Sequence, residues 1–192
     1  MALLEHSAKN DSIPTAHTTK RIRVLWGVWC RTGSTPVCAK LFRKENKMLD
    51  FKKANCLGFV VGKNEWLTPE PWGMSTYDRA WHKATEDGLE GEEKRIAIDE
   101  FIADCVAEDF CKAFGFKEIQ TTPEKAPVGT VVMKVGSFGI FSDFHFAIKC
   151  VFDGEIVWLH KPGKAPIDIM FDLDRDFDER YRTKPRYFIS VQ

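Results

Sequence analysis

The chain reads as an α+β fold, an antiparallel sheet packed against a helical layer, and three features of the sequence predict it. From Glu92 to Phe114, Ile98, Phe101, Ile102, Cys105, Val106 and Phe110 recur at helical spacing. From Pro127 onward the pattern changes to short runs of Val, Ile, Phe and Trp separated by Gly, Pro and Asp. Within that half, Asp153-Gly154 is a two-residue hairpin signal. A helix followed by sequentially paired strands buries both apolar faces when the two are stacked as layers.

The bulk numbers set the frame. At 192 residues, 44% hydrophobic and 29% charged, the chain fits one domain with a sizeable core. Residues 1–20 are rich in Ser, Thr, Asn, Lys and His without periodicity and read as a disordered arm, leaving 21–192 as a single domain. With 28 basic and 28 acidic side chains the net charge is zero, so a nucleic-acid partner has no electrostatic support. The opening Met1-Ala2-Leu3-Leu4-Glu5-His6 has no apolar signal region, and no run reaches the ~18 apolar residues of a membrane span. The expectation is therefore a protein cytoplasmic as synthesised, which would reach an external substrate by delivery or non-classical secretion.

Taken in order, Ile22 to Trp29 is expected as a strand followed by a turn at Arg31–Pro36, with a second short segment from Val37 to Phe42. A short helix starts near Asn55 or Cys56 and is limited by Gly62 and Asn64. Residues 64–91 hold Pro69, Pro71, Gly73, Gly88 and Gly91 beside Trp66, Trp72, Tyr77 and Trp81, and read as a long loop. Its aromatics suit either a wall of a substrate groove or pins that hold the loop to the core. The helix of residues 92–114 opens on Glu92 and Glu93 and is ended by Gly115. Strands are expected at Val128–Val135, Phe144–Phe152, Glu155–His160, Pro166–Phe171 and Arg186–Val191, with Gly136–Ser142 as a connection.

Chemistry concentrates at Cys56, His145 and His160. A cysteine at a helix start meets N–H groups and a positive dipole end, which favour a thiolate and can bring its pKa into about 3.5–7.5. A strand turns His145 away from Phe144 and Phe146. A tight Asp153-Gly154 turn sets 152 opposite 155 and therefore 147 opposite 160, so His145 and His160 share one face, diagonal to each other. Thiol, imidazole and a third polar group are the parts of nucleophilic acyl transfer: attack by Cys56, proton transfer through His145, orientation by His160, and the Cys56 N–H for the oxyanion. The six cysteines show no Cys-x-x-Cys pair, so neither a metal nor a cofactor is expected. Asp172, Asp174, Asp176 and Asp178 lack the Gly and Glu of a calcium loop and read as a solvated acidic turn.

Asn55-Cys56-Leu57-Gly58-Phe59-Val60 resembles the Asp-Cys-Ser-Gly-Phe-Val box of NlpC-like papain-fold cysteine peptidases. His145-Phe146-Ala147-Ile148 resembles that family's His-Val-Gly-Ile strand, and Trp158-Leu159-His160 its Phe-Ile-His strand, in the family's order. Lecithin retinol acyltransferase-like proteins share Asn-Cys-x-x-Phe-Val but place their histidine before the cysteine. The resemblance implies a papain-like fold and a thiol hydrolase with Cys56, His145 and His160 as its catalytic residues. It implies a peptidoglycan peptide as substrate, as for a phage lytic enzyme or a delivered antibacterial effector with an inhibitor or immunity protein as partner. The family's upstream tyrosine beside the site has no counterpart before Cys56. Trp66, Trp72 and Trp81 are the expected substrate-binding aromatics. A cytosolic effector or toxin modifying a host protein or lipid, and a catalytically silent binding module of the same fold, stay open alternatives.

Overall fold

The computed structural model describes residues 51–69, 73–138, 141–152, 154–177 and 179–191. The expected arm, the expected strand and short segment before Lys47, and Trp72 lie outside them. Four helices are present among the described residues: α1 (Cys56–Val60), α2 (Met74–Glu86), α3 (Gly91–Phe114) and α4 (Leu173–Asp176). The strands are β1 (Phe116–Ile119), β2 (Val131–Phe138), β3 (Phe141–Phe152), β4 (Glu155–His160), β5 (Asp168–Met170) and β6 (Arg186–Ser190). They form a mixed α+β fold around an open sheet in the order β1-β6-β2-β3-β4-β5, every neighbouring pair antiparallel.

Strict alternation along the strands explains why the sheet is covered on both faces. Val131, Met133 and Val135 of β2, Phe144, Phe146, Ile148 and Cys150 of β3, and Val157 and Leu159 of β4 turn to the helical side. There they meet Leu57, Phe59 and Val60 of α1 and Ile98, Ile102, Val106 and Phe110 of α3. Phe110 stands at the centre, its ring 4.6 Å from Phe116, 5.0 Å from Phe146 and 5.1 Å from Phe188. Burying one such ring contributes roughly 1.5–3 kcal/mol. The alternate residues Val132, Ala147, Trp158 and Tyr187 pack on the opposite face against Met170, Leu173 and Phe177. Lys149 also lies on that face, buried, with its ammonium donating to the carbonyls of Pro123, Glu124 and Ala126 at 2.6, 3.2 and 2.8 Å. A buried cation needs such a cage, and this one ties the 123–126 segment to the sheet.

Two expected boundaries need correction. The supposed loop of residues 64–91 contains α2, whose buried side chains are Thr76, Ala80 and Ala84. They recur every four residues, so the helix docks on a stripe of small residues, with Tyr77 packed partly against the core and Trp81 exposed. The supposed connection at Gly136–Ser142 is strand: β2 runs on to Phe138 and β3 starts at Phe141, in register. Ser137 and Ser142 both donate to the buried Asp99 carboxylate of α3, at 2.7 and 3.0 Å, so their polarity serves the helix–hairpin joint. The short edge strand β1, pairing with β6 from Phe116↔Ser190 to Ile119↔Tyr187, had no expected counterpart. No helix among the described residues is long and apolar enough to cross a membrane.

Candidate active site

Helix α1 is placed by Asn55. Its side-chain oxygen accepts the Gly58 N–H at 3.0 Å, capping the helix, and also the Leu67 N–H at 3.2 Å. Its amide nitrogen donates to the Leu67 carbonyl at 2.6 Å. Asn55 therefore fastens residues 65–67 across the helix. The approach is so close that a Cβ on Gly58 would come within 2.0 Å of the Glu65 carbonyl oxygen.

Cys56 meets the sheet where β3 outruns its neighbour. Ala147 pairs with His160, the last residue of β4, so the earlier part of β3 extends past it. Lys149 bonds through both its N–H and C=O to residues 130 and 129 on the β2 side, so even-numbered residues of β3 turn theirs to the other edge. At that edge the Cys56 thiol donates to the Phe144 carbonyl at 3.8 Å and faces the Phe146 N–H. The thiol thus stands where a continuing β4 would have placed its backbone.

This setting reverses one expectation. Burial pushes the Cys56 thiol up to about 12, the nearby Asp143 charge adding to it, while the N–H groups of Phe146, Leu57 and Cys56 itself pull the other way. A helix of five residues brings only a small dipole, and removal of water from the sulfur outweighs it. Cys56 rests as a neutral thiol.

The two histidines are joined: His145 Nε2 and His160 Nδ1 lie 2.7 Å apart. Burial lowers the pKa of His160, against the charges of Asp168 and Asp176, which favours its neutral form. With His160 Nδ1 as the acceptor of this bond, His145 carries its hydrogen on Nε2 and its lone pair on Nδ1; with the roles exchanged, His160 Nδ1 donates to His145 Nε2.

Cys56, His145, His160 and Trp66 line one cavity of about 710 Å³, within the ~300–1,000 Å³ usual for small-molecule sites. Trp66 is 56% exposed at its rim, facing Gly163. Trp81 does not line it. It sits on α2, its ring 6.2 Å from that of Tyr77, four residues earlier on the same helix, and beneath the Lys94 ammonium of α3 at 3.8 Å. The sequence reading missed Asp143, Phe177, Arg180 and Tyr181, which complete the walls. Asp143, two residues from His145 on the same strand, was within reach of the parity argument. Tyr181 was not, since no local pattern ties it to the histidines. Of the acidic run that precedes it, Asp172 caps α4 and Asp176 accepts the N–H groups of Phe171 and Asp172, while Asp178 lies outside the described residues.

No protein-family model, curated protein or solved structure matches this chain.

Proposed function

We propose that the chain is a thiol-dependent hydrolase of papain-like, NlpC-like fold that cleaves an amide bond, with peptides of peptidoglycan as the substrate class that the motif resemblance implies. The observation that carries this reading is the 2.7 Å bond between His145 and His160 on the wall of the cavity that also holds Cys56. A helix start and one hairpin, far apart in sequence, meet there with a nucleophile, a base and an orienting group. A short helix bringing a cysteine to the edge of an antiparallel sheet, with the histidines on the adjoining strands, supports the papain-like comparison.

The chemistry starts from the neutral thiol. The sulfur attacks the carbonyl carbon as its proton passes to His145 Nδ1, and the new oxyanion is met by the N–H groups of Cys56 and Leu57 at the helix start. His145 returns the proton to the amine as the C–N bond breaks, leaving a thioester on Cys56. Water then loses a proton to His145 and attacks the thioester, releasing the acid and restoring the thiol. Because burial lowers the His160 pKa, His160 stays a neutral partner for His145 Nε2 to more acid pH than an ordinary histidine would.

Release of fragments from purified wall peptides tests the reading in wild type, Cys56→Ala and Cys105→Ala, with His160→Ala beside His160→Asn. Loss in Cys56→Ala, retention in Cys105→Ala, and partial recovery by Asn over Ala at 160 are expected; the loss in His160→Ala is about 10²-fold or more. Cys56-dependent modification of a host protein or lipid with inert wall peptides would move the protein to the effector alternative. A binding module without turnover is favoured by the thiol's bond to Phe144 and its raised pKa. Wild type that releases no more than Cys56→Ala on any substrate would establish that second reading.

A further inference from the structure

The chain between β5 and β6 returns over the face of the sheet that carries His145. Two contacts hold it down. A Cβ on Gly136 would lie 1.6 Å from the Arg180 carbonyl oxygen, so the segment crosses β2 where the side chain is missing. Three residues on, Thr183 bonds twice to Val135: its hydroxyl accepts the Val135 N–H at 2.8 Å and its N–H donates to the Val135 carbonyl at 3.1 Å. Gly136 pairs with Asp143 on β3, so the crossing delivers residue 181 to Asp143 and the adjoining His145.

Tyr181 makes two contacts there. Its hydroxyl donates to Asp143 Oδ2 at 2.9 Å, while Asp143 Oδ1 accepts the Phe144 N–H at 2.9 Å. Its ring lies nearly flat on the His145 imidazole, centroids 5.4 Å apart and planes 28° from parallel. Phe177 closes the remaining side, its ring 5.6 Å from His145 and 6.0 Å from Tyr181, both edgewise. His160 meets the imidazole at 87°. The His145 ring is therefore covered on a face by Tyr181 and bounded by Phe177 and His160.

We propose that Tyr181 is a positioning residue: anchored through its hydroxyl on Asp143, it fixes the plane of the His145 imidazole so that Nε2 stays on His160 and the proton-accepting nitrogen keeps one direction. This rests on the hydrolase reading and extends it, because the tyrosine arrives from a strap downstream of both histidines. Burial and the Asp143 charge raise the pKa of the phenol, so it keeps its proton and remains a donor. A rotation of the imidazole away from His160 would have to displace the stacked ring.

The test follows the imidazole Cε1–H NMR signals of His145 and His160 through a pH titration of the whole chain in wild type, Tyr181→Phe and Tyr181→Leu. The rate of Cys56 modification by iodoacetamide is measured in parallel. Phe keeps the ring and loses the anchor; Leu loses both. The two signals should titrate as a coupled pair in wild type and independently of each other in Tyr181→Leu, where nothing holds the imidazoles together. Cys56 modification should slow by about 10²-fold in Tyr181→Leu, with Tyr181→Phe between the two. Superimposable histidine titrations in wild type and variants overturn the positioning role whatever the rates do. If Tyr181→Leu does not fold, Tyr181→Phe decides by the same curves. Failure of the hydrolase reading itself is seen elsewhere, as Cys56 modification unchanged in His145→Ala.

Discussion

At the scale of single residues, Asn55 shows why an amide rather than a carboxylate precedes the cysteine. It accepts from Gly58 and Leu67 through one end and donates to the Leu67 carbonyl through the other, which an aspartate cannot do. Asn55→Asp is therefore expected to lower stability by about 1–3 kcal/mol, read from the urea midpoint, because the Leu67 carbonyl loses its donor and faces a carboxylate. An unchanged midpoint would mean that the 65–67 segment is held from elsewhere. The same residue marks how far the sequence could be read: an Asn followed by an apolar turn gives the helix start and its short length. The second role of Asn55 involves a backbone partner twelve residues away, for which no residue type is a signal. Cys56 shows the opposite limit. Its position at a helix start suggests a thiolate, but burial at the β3 edge decides its ionisation, and burial is a property of the assembled fold.

At the scale of elements, the joint between α3 and the β2–β3 hairpin rests on Asp99, which accepts from Ser137 and Ser142. Burial raises its pKa, with the two serine hydroxyls opposing. A raised folded value means that the folded state holds the proton more tightly than the unfolded chain does. The resulting stabilisation is complete below the unfolded value of ~3.9 and is lost as pH rises through the folded one. Asp99→Asn keeps an acceptor and removes the titration, so its stability should fall less than that of wild type between about pH 4 and neutrality. Parallel urea-midpoint curves for the two proteins would contradict this. The register of the β3–β4 hairpin was legible because the Asp153-Gly154 turn fixes the count, and Ala147↔His160 follows. The extent of β2–β3 was not, because Gly136 and the two serines look like loop residues until the strap and Asp99 are seen against them. Helix α2 was hidden for a related reason: small residues dock it, so its large side chains give no inward stripe.

At the scale of the whole molecule, the site is an intersection of separate paths through the fold. Helix α1 brings Cys56 to an edge that exists only because β4 ends early, β3 and β4 carry the histidine pair, and the strap before β6 lays Tyr181 on His145. Parity along a hairpin could bring the two histidines together from sequence. The cysteine could be joined to them only by resemblance, and the tyrosine by neither route, since its contact depends on a close crossing at Gly136. In the proposed mechanism, Cys56 and His145 act as one chemical unit that starts from a neutral thiol. The most direct test is the rate of Cys56 alkylation by iodoacetamide from about pH 5 to 9, a range spanning the usual His and Cys pKa values. It is followed by mass spectrometry in wild type and His145→Ala, with Cys105 of the same molecules as the internal reference. Expected are no thiolate-like plateau at acid pH, a wild-type Cys56 rate that rises as the histidine pair loses its proton, and a slower rate in His145→Ala once the pair is neutral. Equal Cys56 rates in the two proteins, rising together as a simple thiol ionises, would contradict this mechanism.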